Sequence, residues 1–214
     1  MARRTKEDAN RTREGILSSA LDLFLEKGYQ RTTFEDVAER LNMTKGAVYW
    51  HFETKESLLL ALIDRALQSF REMLGSDFLS CPDTLSFPVV ADAMIRAAQR
   101  TVEDKSMRKF FLLMRTQVRW EGDSMARIRE QLLDDAACGP KYAFARALEN
   151  DKRALRVRAG VNVNQVVYIV LAIWDGLVQA KIDGFLEASL AETLQAAYST
   201  AWKTISTSEN GETR

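Results

Sequence analysis

The chain of 214 residues contains one histidine, two cysteines, three prolines and no net charge, with 30 Lys and Arg balanced by 30 Asp and Glu. A single histidine, His51, cannot build a multi-histidine metal site or a proton relay. Cys81 and Cys138 stand 57 positions apart and form no CxxC pair, so a zinc ribbon or thioredoxin-like motif is absent. Two free thiols fit a reducing compartment, and a cytoplasmic location is expected. There is no GxGxxG and no P-loop. The longest purely apolar run, residues 166–174, is nine residues long, well short of the roughly 20 that span a bilayer. Residues 3–13 are dense in charge and do not resemble a signal peptide. No metal, no cofactor, no membrane partner and no catalytic constellation is expected. Zero net charge argues against a generic nucleic-acid coat, although a neutral total can hide a local binding face.

What is present is helical pattern. Proline and glycine are sparse, and no stretch alternates apolar and polar residues, so the chain is expected to be all-α with almost no strand. A first helix is expected from about residue 10 to 27, where Ile16, Leu17, Ala20, Leu21, Phe24 and Leu25 share a face, with Gly28 as its stop. A short helix follows over about 34–41. Thr32 or Thr33 can cap it; with Thr32 as cap, Glu35 would complete a capping box. After the turn Asn42-Met43-Thr44, a second short helix is expected over 45–52, capped by Thr44. A longer helix follows from Lys55, capped by Thr54. A break falls at 75–88, then five helices near 87–103, 107–120, 124–150, 162–184 and 188–205, about nine in all. Residues 206–214 form a polar tail. The division is expected at 1–60 and 61–205.

Two short helices joined by a three-residue turn and braced by a preceding helix make a helix-turn-helix unit. In such a unit the second helix enters the major groove. Its exposed face here carries Thr44, Lys45, Tyr49 and His51, beside Trp50, and Gly46 lets the helix start approach base edges closely. Residues 1–60 contain ten Lys and Arg and ten Asp and Glu. Residues 3–13, however, hold five basic side chains against two acidic ones, a net +3.

Residues 33–52, ending in Lys45-Gly46-Ala47-Val48-Tyr49-Trp50-His51-Phe52 and followed by Lys55-Glu56-Ser57-Leu58, resemble the DNA-binding signature of the TetR family of repressors. The likeness extends back over residues 13–29, through Ile16, Ala20, Leu23, Phe24 and Gly28-Tyr29, and is strongest to the AcrR-like branch, which represses multidrug efflux pumps. The resemblance implies an N-terminal three-helix DNA-binding domain and a C-terminal helical domain that binds ligand and dimerises. It implies phosphate contacts by Thr33, Thr44, His51 and Lys55, a groove-floor position for Lys45 and Gly46, and a phosphate or thymine-methyl contact by Tyr49. Arg3, Arg4 and Lys6 would reach backbone or minor groove. Only Lys45 and Thr44 suit direct base readout, which leaves part of the selectivity to DNA shape.

Beyond residue 60 the chain is rich in Met and aromatic side chains, which suit an adaptable apolar pocket. The expected lining is Phe70, Met73, Phe78, Met94, Phe111, Met114, Gln117, Val118, Tyr142 and Trp174. Two late amphipathic segments suit self-association, and the expected interface is Ile173, Gly176, Leu177, Ala180, Leu194, Tyr198 and Trp202. The expected partners are palindromic double-stranded operator DNA, a small hydrophobic or amphipathic effector and a second copy of the chain. The expected function is a ligand-released repressor of an efflux operon. A family member controlling metabolic or other genes, or a helical carrier or enzyme, stays open at this point.

Overall fold

The computed structural model describes residues 6–74, 85–123, 125, 126, 128 and 139–207; of residues 70, 71, 73 and 74 it describes the backbone alone. Nine helices are described: α1 Lys6–Lys27, α2 Phe34–Arg40, α3 Lys45–His51, α4 Lys55–Leu74, α5 Phe87–Glu103, α6 Lys105–Thr116, α7 Pro140–Arg153, α8 Val163–Ile182 and α9 Leu190–Ile205. Among the described residues the only β pairing is one isolated bridge, Val157 with Ser206.

Four boundaries differ from expectation, one of them at α6, which ends at Thr116 so that residues 117–120 are not helical. Helix α1 spans Lys6–Lys27, so residues 6–9, expected to precede the helix, are helical. Residues 6–13 lack apolar periodicity, but Glu7 and Asp8 sit in the first turn, where negative charge meets the positive end of the helix dipole. A helix over 124–150 is not continuous. Gly139 is extended (φ −96°, ψ 169°) and Pro140 opens α7, where its missing N–H costs nothing. Ser206 and Thr207 are not free tail: the Thr207 N–H donates to the Arg156 carbonyl at 2.8 Å, and Ser206 is buried.

Packing groups the described residues into two compact units, and both are discontinuous in sequence. The first holds the described residues of 1–66 and 105–133. Its core is the inner stripe of α1 (Ile16, Leu17, Ala20, Leu21, Phe24) with Val37, Val48, Phe52, Leu58, Leu62 and Leu113. Gly28 ends α1 at φ +91°, a left-handed conformation that glycine enters without a Cβ clash. Helix α6 joins this unit by packing on α1, where the Lys109 ammonium pairs with the Asp22 carboxylate.

The second unit holds the described residues of 67–104 and 134–214, with α5, α7, α8 and α9 around Phe87, Phe144 and Tyr198. Fully buried Asp151 organises it. Its carboxylate accepts the Phe87 N–H at 2.7 Å, capping α5 from 64 residues away, and also pairs with Arg156 at 2.7 Å. Helix α8 is long and apolar enough, by length and composition, to cross a membrane, with mean hydropathy 1.4 over its most apolar window. It nonetheless packs a buried stripe of Val163, Val167, Val170 and Val178 against its neighbours, as a helix of a folded domain does. Only 22% of that window is buried, and Tyr168 and Ile169 stand exposed.

Candidate nucleic-acid interface

The helix-turn-helix unit is built by local capping. Thr33 is extended and caps α2: its hydroxyl oxygen accepts the Asp36 N–H at 3.2 Å, and the Asp36 carboxylate accepts the Thr33 N–H at 2.7 Å. The reciprocal pair is thus Thr33 with Asp36. It is not Thr32 with Glu35, because the Thr32 hydroxyl is buried and donates to the Gly28 carbonyl at 2.9 Å. The turn passes through Asn42 at φ 51°, a left-handed position that asparagine tolerates better than most residues. Thr44 then caps α3 by accepting the Ala47 N–H at 3.2 Å. Thr54 caps α4, accepting the Ser57 N–H at 3.0 Å. Val48 and Phe52 pin α3 to the core, as their spacing predicts.

This anchoring leaves the opposite face of α3 in solvent. Thr44, Lys45 and Gly46 are exposed, Tyr49 is 47% exposed and Trp50 is 71% exposed. A Cβ built on Gly46 would meet nothing closer than the Thr44 hydroxyl at 4.0 Å, so packing within the chain does not require glycine there. Tyr49 stands edge-on to Phe34 with ring centroids 4.9 Å apart, and Trp50 stands edge-on to His51 at 4.5 Å. His51 is half-buried at the end of the helix.

The basic side chains of this unit are largely matched within the chain. Lys45 pairs with Glu35 of α2, and its ammonium lies 5.6 Å from the centre of the Tyr49 ring. The contact holds Glu35 below the ordinary carboxylate range and Lys45 above the ordinary amine range. Arg40 forks onto Glu26 at 2.9 and 2.5 Å, and Lys27 meets Asp36 at 2.5 Å. Lys27, with the two Thr33 bonds, pulls the Asp36 carboxyl down to about 2. Lys55, expected to bind phosphate, instead donates to the Gln30 carbonyl at 2.9 Å and the Thr32 carbonyl at 3.3 Å, over the Tyr29 ring. Burial lowers its pKa. Its ammonium braces the loop between α1 and α2. Glu35 carries no signal at helical spacing, because its partner lies ten positions on, across the turn.

Arg3 and Arg4 lie outside the described residues, as do Phe78, Cys81 and Cys138 and the side chains of Phe70 and Met73. The remaining expected pocket residues fall in both packing units. Phe111, Met114, Gln117 and Val118 belong to the first unit, and Met94, Tyr142 and Trp174 to the second. Met94 is buried, and its carbonyl accepts the Trp174 indole N–H at 2.8 Å, which ties α5 to α8. Among the described residues, a crevice of about 180 Å³ between α5 and α9 is lined by Phe87, Ala91, Tyr198 and Trp202 with their neighbours, and by none of the ten expected residues.

Two of the expected interface residues are corrected. Leu194 and Tyr198 are buried inside their own subunit, four apart on the inner stripe of α9, and Trp202 stacks on Phe87 at 5.5 Å. On α8, Gly176 is exposed and Ile173, Leu177 and Ala180 are half-buried, on the side that also shows Ile169 and Ala172.

Comparison with known proteins fits this geometry. The family model for bacterial regulatory proteins of the tetR family matches residues 16–62, from the core of α1 into α4. Over 188 residues the chain is 31% identical to the probable HTH-type transcriptional regulator ArpR of Pseudomonas putida, covering 83% of each chain. It is 30% identical over 189 residues to the HTH-type transcriptional regulator TtgR, also of Pseudomonas putida, covering 84% of each. Among solved structures, a SmeT–triclosan complex superposes with TM-score 0.73 at 25% identity, over 94% of this chain and 93% of that one. SmeT is described as the repressor of the Stenotrophomonas maltophilia multidrug efflux pump SmeDEF. These relatives are regulators that bind DNA, not enzymes. Likeness along most of the chain, joined to a capped helix-turn-helix whose second helix offers its polar face to solvent, places this protein in the TetR family of transcriptional repressors.

Proposed function

We propose that the chain is a homodimeric, cytoplasmic repressor of a multidrug efflux operon, released from its operator by a small apolar or amphipathic effector. The observation that carries the DNA-binding mode is the exposed face of α3, with Thr44, Lys45, Gly46, Tyr49 and Trp50 held outward by buried Val48 and Phe52. In this reading α3 enters the major groove and Lys45 meets base edges, while Thr33, Thr44 and Tyr49 touch the backbone. Residues 1–60 read DNA; residues 61–205 bind effector and dimerise. Two copies place their α3 helices about 34–36 Å apart on a near-palindromic site.

The exposed apolar side of α8 supports self-association. Ile169, Ala172 and Gly176 stand exposed there beside half-buried Ile173, Leu177 and Ala180, an apolar surface that a second subunit can cover. Kinship supports the efflux assignment: SmeT is described as the repressor of a multidrug efflux pump. An effector releases DNA only by preferring the conformation that does not fit the operator. Helix α4, which contributes residues to both compact units, is the covalent route for that signal.

The test is fluorescence anisotropy with DNA from upstream of the chain's own gene and of any adjoining transporter gene, with triclosan as the probe effector. Saturable binding that triclosan weakens supports the proposal. Binding to neither DNA would overturn it, and binding indifferent to triclosan would remove that compound from the effector class.

A further inference from the structure

Glu35 is freed by the way α2 is capped. Asp36 closes the reciprocal bonds with Thr33, so the Glu35 carboxylate, next to it on the first turn, is available to cross the turn. It meets the Lys45 ammonium at the start of α3. Lys45 is held from a second side by the Tyr49 ring, and Tyr49 is itself fixed edge-on against Phe34, the neighbour of Glu35. Phe34 and Glu35 of α2 therefore cradle Lys45 and Tyr49 of α3. Glu35 and Lys45 both remain about half exposed, with side chains 59% and 48% accessible, so the pair stands on the surface that would face DNA.

We propose that Glu35 is a positioning residue for specificity: it buttresses Lys45 for one acceptor edge while cancelling the ammonium's attraction to phosphate in general. This rests on α3 being the groove helix. An ammonium has three donors, and one engaged by Glu35 leaves two for the paired acceptors O6 and N7 of a guanine. A lysine already oriented loses less rotamer freedom on reading a base. At longer range the Glu35–Lys45 pair presents no net charge, which lowers attraction to any duplex regardless of sequence. The orientation of Lys45 widens the gap between operator and random DNA, while the cancelled charge lowers affinity for both alike.

Glu35→Ala and Lys45→Ala, alone and combined, test this by anisotropy on operator and on random duplex across a salt series. Glu35→Ala is expected to lower the ratio of operator to random affinity about three- to tenfold. It should steepen the salt slope on random DNA by about one, at unchanged melting temperature. In the Lys45→Ala background, Glu35→Ala should no longer change the ratio of operator to random affinity. An unchanged ratio with Glu35→Ala, or a change in the ratio that persists without Lys45, would overturn the buttress. If Lys45→Ala weakens operator binding while Glu35→Ala changes nothing, the buttress alone fails. If Lys45→Ala itself leaves operator binding intact, the groove-helix reading fails with it.

Discussion

Gly46 separates what the fold needs from what DNA needs. A methyl group there has room within the chain, since the nearest atom is 4.0 Å away, and alanine favours helix by up to about 1 kcal/mol over glycine. Gly46→Ala is therefore expected to hold or raise thermal stability while weakening operator binding by about tenfold, because in the proposed docking the added group faces the base edges. Thermal unfolding and anisotropy on the same samples check both halves. Single residues were legible in sequence where their partners are close by. The caps Thr44 and Thr54 follow from a three-residue rule and are found in place. Lys55 was not, because its acceptors lie 25 and 23 positions earlier in a loop whose path no periodicity reveals. Adjacent Thr32 and Thr33 both obey the capping rule. What separates them is that the Thr32 hydroxyl is buried against the end of α1.

At the scale of the element, α2 depends on Asp36. Its carboxylate is held down to about 2 by Lys27 first and by the two Thr33 bonds next, below the roughly 3.9 of an unfolded chain. A depressed carboxyl contributes stability above the unfolded value and loses it as pH falls through the folded value. The deficit of Asp36→Ala relative to the parent chain, about 1 kcal/mol for a lost cap, should thus be constant from neutral pH to about pH 5, shrink as pH falls further and vanish only below about pH 2. Urea titrations across that range measure it. Helix existence was readable throughout the described residues because apolar residues recur every three or four positions. Boundaries slipped where that signal is silent: at 6–13, which is polar all round, and at Gly139-Pro140, where a backbone break interrupts a pattern that otherwise continues.

For the whole molecule, the deciding matter is which apolar stripe faces a second subunit. Leu194 and Tyr198 look the same in sequence as interface residues, since both stand at helical spacing, yet they fill the subunit's own core. Periodicity shows that a face is apolar and not what covers it. The expected outcomes therefore differ. Ile169→Glu on exposed α8 should convert dimer to monomer in sedimentation with the helical content kept. Leu194→Ala should leave association intact and lower stability by about 2–5 kcal/mol through a cavity. The same limit holds for the expected pocket residues: a methionine or aromatic that lines a cavity and one that fills a core obey one pattern.

The central claim is that the exposed face of α3 reads the operator, and Tyr49 tests it most directly. The ring is 47% exposed, and within the chain it meets the edge of Phe34 and the Lys45 ammonium. Tyr49→Ala, compared with the parent chain by anisotropy on the same upstream duplex, should weaken binding by about tenfold or more, with dimer mass and melting behaviour preserved. Unchanged affinity in a folded, dimeric variant would contradict the account.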